Sequence, residues 1–199
     1  MSFRKEKKFK LTKNELLSLK RQFLNNGMKS IHKSRNLSSC YFDTNNLRMF
    51  YESEEGILPR KKIRLRWYGE NMVSINKEVK ISSLEGRFKT ISRFDESLIS
   101  QLNRVRLFDA NYGNISPKLL IKYEREYYIF RDLRLTFDTN IVYFDITSSL
   151  KLKKFEKESV MEIKTSKYTS EDYIDKIVNI QSTRFSKYCR GLLSLSNIN

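Results

Sequence analysis

"RKKIRLRWYGENMVSINKEVK" (residues 60–80) decides how the rest of the chain is read. Cations stand at every second position, Arg60, Lys62, Arg64 and Arg66, and the chain returns through Glu78 and Lys80. Side chains on a strand alternate between two faces. One face of residues 60–68 then carries Arg60, Lys62, Arg64, Arg66 and Tyr68, with neighbours about 7 Å apart. The other carries Lys61, Ile63, Leu65 and Trp67, a core face apart from Lys61 at its start. The returning segment puts Glu78 and Lys80 on one side and Val79 and Ile81 on the other, across "GENM", a connection of hairpin length. Residues 60–90 hold nine basic side chains against three acidic ones.

The device recurs. "VMEIK" (160–164) sets Glu162 and Lys164 opposite Met161 and Ile163; "RLTFDT" (134–139) sets Arg134, Thr136 and Asp138 opposite Leu135 and Phe137; Arg4, Glu6 and Lys8 share a face near the start. Such faces can look outward to water, as in half-exposed antiparallel sheets. Alternatively the strands close into a barrel, the charged faces line its lumen, and helices cover the apolar outside. A lumen of that kind suits a triphosphate or phosphate chain, because guanidinium forks grip phosphate oxygens in pairs. An occasional carboxylate there makes sense as the holder of a divalent cation that bridges phosphates.

Periodicity orders the remaining elements. Strands are expected at 3–11, 38–44, 86–91, 118–130, 133–139, 141–146 and 159–166. "TKNELLSLKRQFLNN" reads as a helix with Thr12 as N-cap and Glu15 completing a capping box, ended by Gly27. Short helices are expected at 45–53, at 94–107, at 170–181 behind Ser170, and near the end of 184–197. Strands joined by short links, with few helices between them, point to an α+β fold with an antiparallel sheet. Asp43 and Asp138 end strands and read as turn caps. Glu124 and Glu126 fall opposite Arg125, and His32 reads as a loop residue.

The 199 residues suit one domain, 1–199, with a core that needs no staples. Net charge is +16, with 39 Lys and Arg against 23 Asp and Glu, which points to an anionic partner. One histidine excludes a multi-histidine metal site, and Cys40 and Cys189 read as reduced, packed thiols of a cytoplasmic protein. No window is apolar enough to span a membrane, so a membrane role would need a partner protein.

The ordered pieces "YFDT" (41–44), "KIRLRWYG" (62–69), "EVK" (78–80), "RLTFDT", "VMEIK" and "FSKYCRG" (185–191) resemble the polyphosphate polymerase domain of the vacuolar transporter chaperone (VTC) family, within the triphosphate tunnel metalloenzyme (CYTH-like) superfamily. The resemblance implies an antiparallel eight-stranded β-tunnel with a basic lumen and helices packed outside. It implies transfer of the γ-phosphate of ATP onto inorganic polyphosphate with Mn²⁺ or Mg²⁺. By motif position it assigns catalytic roles to Lys8, Arg64, Arg66, Lys80, Arg125, Arg134 and Lys187, and a metal-binding role to Glu162. Lys62, Lys164 and Arg184 would support substrate binding, and Arg87 or Lys89 would stand in for a lysine the family carries after its Glu-x-Lys strand. The chain looks like the compact, stand-alone type, without a sensing domain or membrane helices.

Three functions follow from these residues: a polyphosphate polymerase, a tripolyphosphatase or nucleoside triphosphatase with water as acceptor, and a non-catalytic binder of polyphosphate or nucleic acid. Binding of single-stranded nucleic acid wants aromatic platforms among the basic residues. Trp67 and Phe137 instead alternate onto apolar faces, so no nucleic-acid partner is expected.

Overall fold

The computed structural model describes residues 4–99, 101–148, 152–166 and 169–195. In chain order the elements are β1 (Arg4–Leu11), α1 (Lys13–Asn25), β2 (Lys29–Asp43), α2 (Arg48–Glu55), β3 (Arg60–Tyr68), β4 (Asn76–Ser83), β5 (Gly86–Arg93), β6 (Leu107–Asp109), β7 (Gly113–Phe130), β8 (Leu133–Asp145), β9 (Lys153–Phe155), β10 (Ser159–Ser166), α3 (Glu171–Val178) and α4 (Lys187–Leu195). Eight strands form one path, β1-β10-β8-β7-β2-β3-β4-β5, with β6 beside β7 and β9 beside β8. The pairings β1–β10, β10–β8, β2–β3, β3–β4 and β4–β5 are all antiparallel. The fold is α+β on an antiparallel sheet, as the alternation predicts.

The chain divides into two compact units, one from residues 1–35, 123–141 and 156–185, the other from 36–122, 142–155 and 186–199. In the first, Phe9 and Leu11 of β1, Leu135 and Phe137 of β8, and Met161 and Ile163 of β10 form one buried face. Helix α1 covers that face with Leu16, Leu19 and Phe23, and α3 covers it with Ile174 and Val178. The start of α1 is fixed as its sequence predicts: Glu15 N donates to Thr12 Oγ1 while Thr12 N donates to Glu15 Oε2. Ser170 caps α3 by accepting from Tyr173 N.

In the second unit the buried face of β2 and β3 is Cys40, Phe42, Ile63, Leu65 and Trp67, packed against Met49 of α2 and against Val105 and Ile115. Helix α4 differs from the others. Tyr188 stacks on Tyr41, with ring centroids 5.0 Å apart, and Lys62 Nζ donates to Ser186 Oγ just before the helix. Both Tyr41 and Lys62 belong to the polar side of their strands, so α4 rests there rather than on the apolar side.

Several local expectations change. Residues 94–107 are not one helix: among the described residues they give two 3-10 turns, Glu96–Leu98 and Leu102–Arg104. Glu96 is drawn off by Arg93 and by the backbone N–H of Ile75. Residues 133–139 and 141–146 are a single strand, β8, that passes through a left-handed Asn140 (φ 51). His32 is not in a loop but in β2, edge-on to Tyr127 at 5.7 Å between ring centroids. The β3–β4 link is 69–75, longer than the four residues expected, because Ile75 is buried before β4 begins. Asp138 is no turn cap: it is buried within β8 and accepts two hydrogen bonds from Arg125. Asp43 does cap, accepting from the backbone N–H groups of Thr44, Met49 and Phe50 at the start of α2. No helix among the described residues is long and apolar enough to cross a membrane.

Candidate functional site

Register places charged side chains in rows, because residues directly opposite on antiparallel strands point to the same side. On the polar side of the second unit the rows are Ser39–Arg66–Asn76–Arg93, Tyr41–Arg64–Glu78–Ile91, Lys62–Lys80–Lys89 and Arg60–Ser82–Arg87. Glu78 is the hub. Arg64 donates to its Oε2 through Nε at 2.8 Å, Lys89 Nζ donates to its Oε1 at 2.8 Å, and Arg66 Nη1 stands 3.6 Å from Oε2. Tyr41 OH accepts from Arg64 Nη1, and Ser39 Oγ accepts from Arg66 Nε. Burial alone would raise the Glu78 pKa; the charges of Arg64 and Arg66, then Lys89, overcome it and bring it to about 2. Glu78 is therefore a carboxylate at every physiological pH.

The side chains of Arg64 and Arg66 are only 21% and 8% exposed. A solvated strand face would leave both guanidiniums in water, so the outward-facing arrangement does not hold for these two side chains. Lys62 and Lys80 are half-buried, while Arg87 and Lys89 on β5 are exposed. Lys62, Lys80 and Lys89 stand directly opposite one another across three adjacent strands. Like charges in that relation destabilise a sheet. Lys187 is the first residue of α4 and is half-buried.

The first unit repeats the plan. Its rows are Lys8–Glu162–Thr136 and Glu6–Lys164–Arg134. Glu162 is buried, with Lys164 Nζ at 3.0 Å from its Oε1. Burial would raise its pKa, but Lys8, Lys164 and Arg125 hold it well below the usual carboxylate range. Arg125 is held protonated against its own burial by Asp138, Tyr123 and Glu162. Lys8 Nζ donates to the carbonyl of Phe185, which fixes the segment carrying Arg184; Arg184 itself is exposed. A cavity of about 130 Å³ is lined by Arg125, Arg134, Thr136, Lys164 and Tyr127 among others. Arg134 is exposed there, and makes no hydrogen bond or ion pair among the described residues.

The sequence-assigned residues thus fall into two sets. Lys8, Arg125, Arg134, Glu162, Lys164 and Arg184 belong to the first unit, and Lys62, Arg64, Arg66, Lys80, Arg87, Lys89 and Lys187 to the second. Sequence reasoning missed Glu78 and Asp138 as organisers of the arginines, and Tyr41 as an acceptor for Arg64. A signal for Glu78 was present: "EVK" and "MEIK" are the same Glu-x-Lys device, and only one glutamate of the two was singled out. Glu126 has a partner of its own, Lys20 of α1, consistent with its place opposite Arg125.

The described residues contain no group of three or more His, Cys, Asp or Glu side chains that could hold a metal ion. A closed protein cage is therefore not what these residues build. Magnesium and manganese also bind through one or two carboxylates, completing their shell with water and substrate phosphates. Glu162 fits that type. Opposite it in the row, Thr136 Oγ1 is buried and makes no hydrogen bond among the described residues.

A family model described as the VTC domain matches residues 3–95 and 83–196 of the chain. Among solved structures, a conserved hypothetical protein from Pyrococcus furiosus aligns at 13% identity with a TM-score of 0.57, covering 94% of this chain and 99% of that one. An adenylyl cyclase candidate from Hippeastrum, described as having a dominant triphosphatase activity, aligns at 14% identity with a TM-score of 0.55, covering 97% of each chain. An adenylate cyclase candidate from Vibrio parahaemolyticus aligns at 14% identity with a TM-score of 0.52, covering 96% of this chain and 98% of its own. These likenesses are of fold. Comparison with curated protein sequences gave no match.

Proposed function

Because the chain belongs to the VTC domain family, we propose that it is a metal-dependent polyphosphate polymerase, which moves the γ-phosphoryl group of ATP onto the end of an inorganic polyphosphate chain. The observation that carries this reading is the packing of Arg64 and Arg66, 21% and 8% exposed, in a strand face that also sets three lysines directly opposite one another. Three lysines and two sheltered arginines gathered around the carboxylate of Glu78 leave an excess of positive charge on that face, which is unfavourable by itself and is relieved by a polyanion.

Phosphoryl transfer asks little covalent work of the protein; positioning and charge neutralisation carry it. A terminal phosphate oxygen of the acceptor forms the new bond to the γ-phosphorus. The bond from that phosphorus to the β–γ bridging oxygen breaks, and ADP leaves with the electron pair. On the second unit Arg64 and Arg66, and on the first unit Arg125 and Arg134, are the groups that grip phosphate oxygens. Lys8 on the first unit, and Lys80 and Lys187 on the second, are the groups that neutralise phosphate charge, that of an acceptor end or of the transition state. Lys62, Lys164 and Arg184 add further contacts, with Arg87 or Lys89 in the place of the family's lysine. Glu162 would hold the divalent cation, Mn²⁺ or Mg²⁺, which would supply neutralisation of phosphate charge. The nucleophile is already an oxyanion, so a chain with one histidine needs no general base.

A second reading, hydrolysis of a triphosphate with water as acceptor, draws support from the triphosphatase activity reported for the Hippeastrum protein of similar fold. One incubation separates the two. Purified protein with ATP and Mn²⁺, or Mg²⁺ in parallel, is run on a polyphosphate gel beside a free-phosphate assay. Long chains that disappear in Glu162→Gln and Arg66→Ala are the expected result. Free phosphate without chains makes it a hydrolase. No turnover of ATP, or turnover unchanged in both variants, overturns the site.

A further inference from the structure

The first unit holds a polar group that the residues around it leave unused. Thr136 Oγ1 is buried and has no hydrogen-bond partner among the described residues. It stands on β8 directly opposite Glu162, which stands opposite Lys8, and it shares its side of the strand with Arg134 and Asp138. It also lines the cavity of about 130 Å³ together with Arg125, Arg134 and Lys164. Buried hydroxyls in folded proteins are nearly always paired, and one that is not costs free energy in the state where it is orphaned. Two features suit this hydroxyl to an anion. Three of the cavity's side chains are cationic, and one of them, Arg134, makes no hydrogen bond or ion pair among the described residues. A hydroxyl can donate to a phosphate oxygen, whereas the carboxylates nearby are already engaged: Asp138 by Arg125 and Glu162 by Lys164.

We infer that Thr136 is a phosphate-binding residue, whose hydroxyl donates to a substrate phosphate oxygen held at the same time by Arg134 and Lys164. This rests on the proposed phosphate chemistry of the polar face. A phosphate that draws Lys164, 35% exposed, away from Glu162 opens the row and gives the hydroxyl its missing partner. The hydroxyl contributes nothing to the fold without ligand and a charge-assisted hydrogen bond with it.

That asymmetry supplies the test. Sodium tripolyphosphate is titrated calorimetrically into the wild-type chain, Thr136→Val and Thr136→Ser, and each protein is melted with and without it. Valine keeps the shape and removes the donor; serine keeps the donor. The expected result has three parts: Thr136→Val binds about tenfold or more weakly, as loss of a hydrogen bond to a charged group predicts; Thr136→Ser binds within about threefold of wild type; and ligand-free Thr136→Val melts at or above the wild-type temperature, because an orphaned polar atom has been removed. Equal binding by wild type and Thr136→Val overturns the inference and leaves the polymerase reading standing. A ligand-free Thr136→Val that melts lower than wild type also overturns it, for the hydroxyl then has a structural partner. Failure of the wild type itself to bind tripolyphosphate overturns the phosphate reading of the face, and this inference with it.

Discussion

Replacing Glu78 by glutamine removes one negative charge and almost no volume, and it falls on the group that three cations share. Glu78 is 7% exposed; Arg64 and Lys89 donate to it at 2.8 Å, and Arg66, 8% exposed, lies 3.6 Å away. At an effective dielectric of about 20, a pair 3.6 Å apart interacts by roughly 5 kcal/mol before desolvation. Removing one partner of such a sheltered pair costs about 3–5 kcal/mol, because the other charge stays buried without compensation. For a chain of this length each kcal/mol lowers Tm by about 2–4 °C, so Glu78→Gln is expected to melt roughly 6–20 °C below wild type. Tripolyphosphate reverses the sign of the argument. It supplies the missing negative charge to Arg64, Arg66 and Lys89, so its stabilising shift should be larger in Glu78→Gln than in wild type. The shift itself follows mass action, about 2.7 kcal/mol at a hundred times Kd. Differential scanning fluorimetry at constant ionic strength reads both quantities. A ligand-free Glu78→Gln that melts within about 2 °C of wild type would refute the account of Glu78 as the common counter-ion.

Acid should reveal the same carboxylate. Its folded pKa of about 2 lies below the ordinary 4.5, so its stabilisation is complete above pH 4.5 and is lost as pH falls through 2. Circular dichroism across that window should show wild type weakening more steeply than Glu78→Gln. Asp138→Asn should cost about 3 kcal/mol in urea denaturation, because Arg125, 13% exposed, loses a two-point partner. Gly191→Ala in α4 should cost about 1–3 kcal/mol by overpacking. An alanine Cβ there would meet Leu119 Cδ2 and Tyr143 Cδ1 at 2.6 Å, and Tyr143 is 1% exposed with little room to yield.

Where a local rule was strong, the sequence carried it into the structure unchanged. The capping box at Thr12 and Glu15 formed as written, since both partners lie within one turn. The alternation in "RKKIRLRWY" and "VMEIKTS" separated core from charge, since a strand has only two faces. Where the competing interactions came from distant chain, the sequence misled. Residues 94–107 have helical spacing, yet part of their capping chemistry goes to Arg93 and the Ile75 amide. His32 lacks strand-like neighbours but pairs within β2 beside Tyr127. Asp138 looks like a strand-end cap until β7 sets Arg125 against it, and Thr136 looks ordinary until packing buries its hydroxyl with no hydrogen-bond partner among the described residues.

By itself the sequence determined which face of each strand is apolar and which is charged, and hence the fold class; its net charge of +16 supplied only the expectation of an anionic partner. Periodicity and net charge are properties of the chain that no packing alters. Only the tertiary structure decided that Arg64 and Arg66 are sheltered rather than solvated, that Glu78 holds them, and that three lysines face one another across β3, β4 and β5. Those facts depend on strand register, and register is fixed by the apolar faces pairing over a common core and not by the charged residues it brings together.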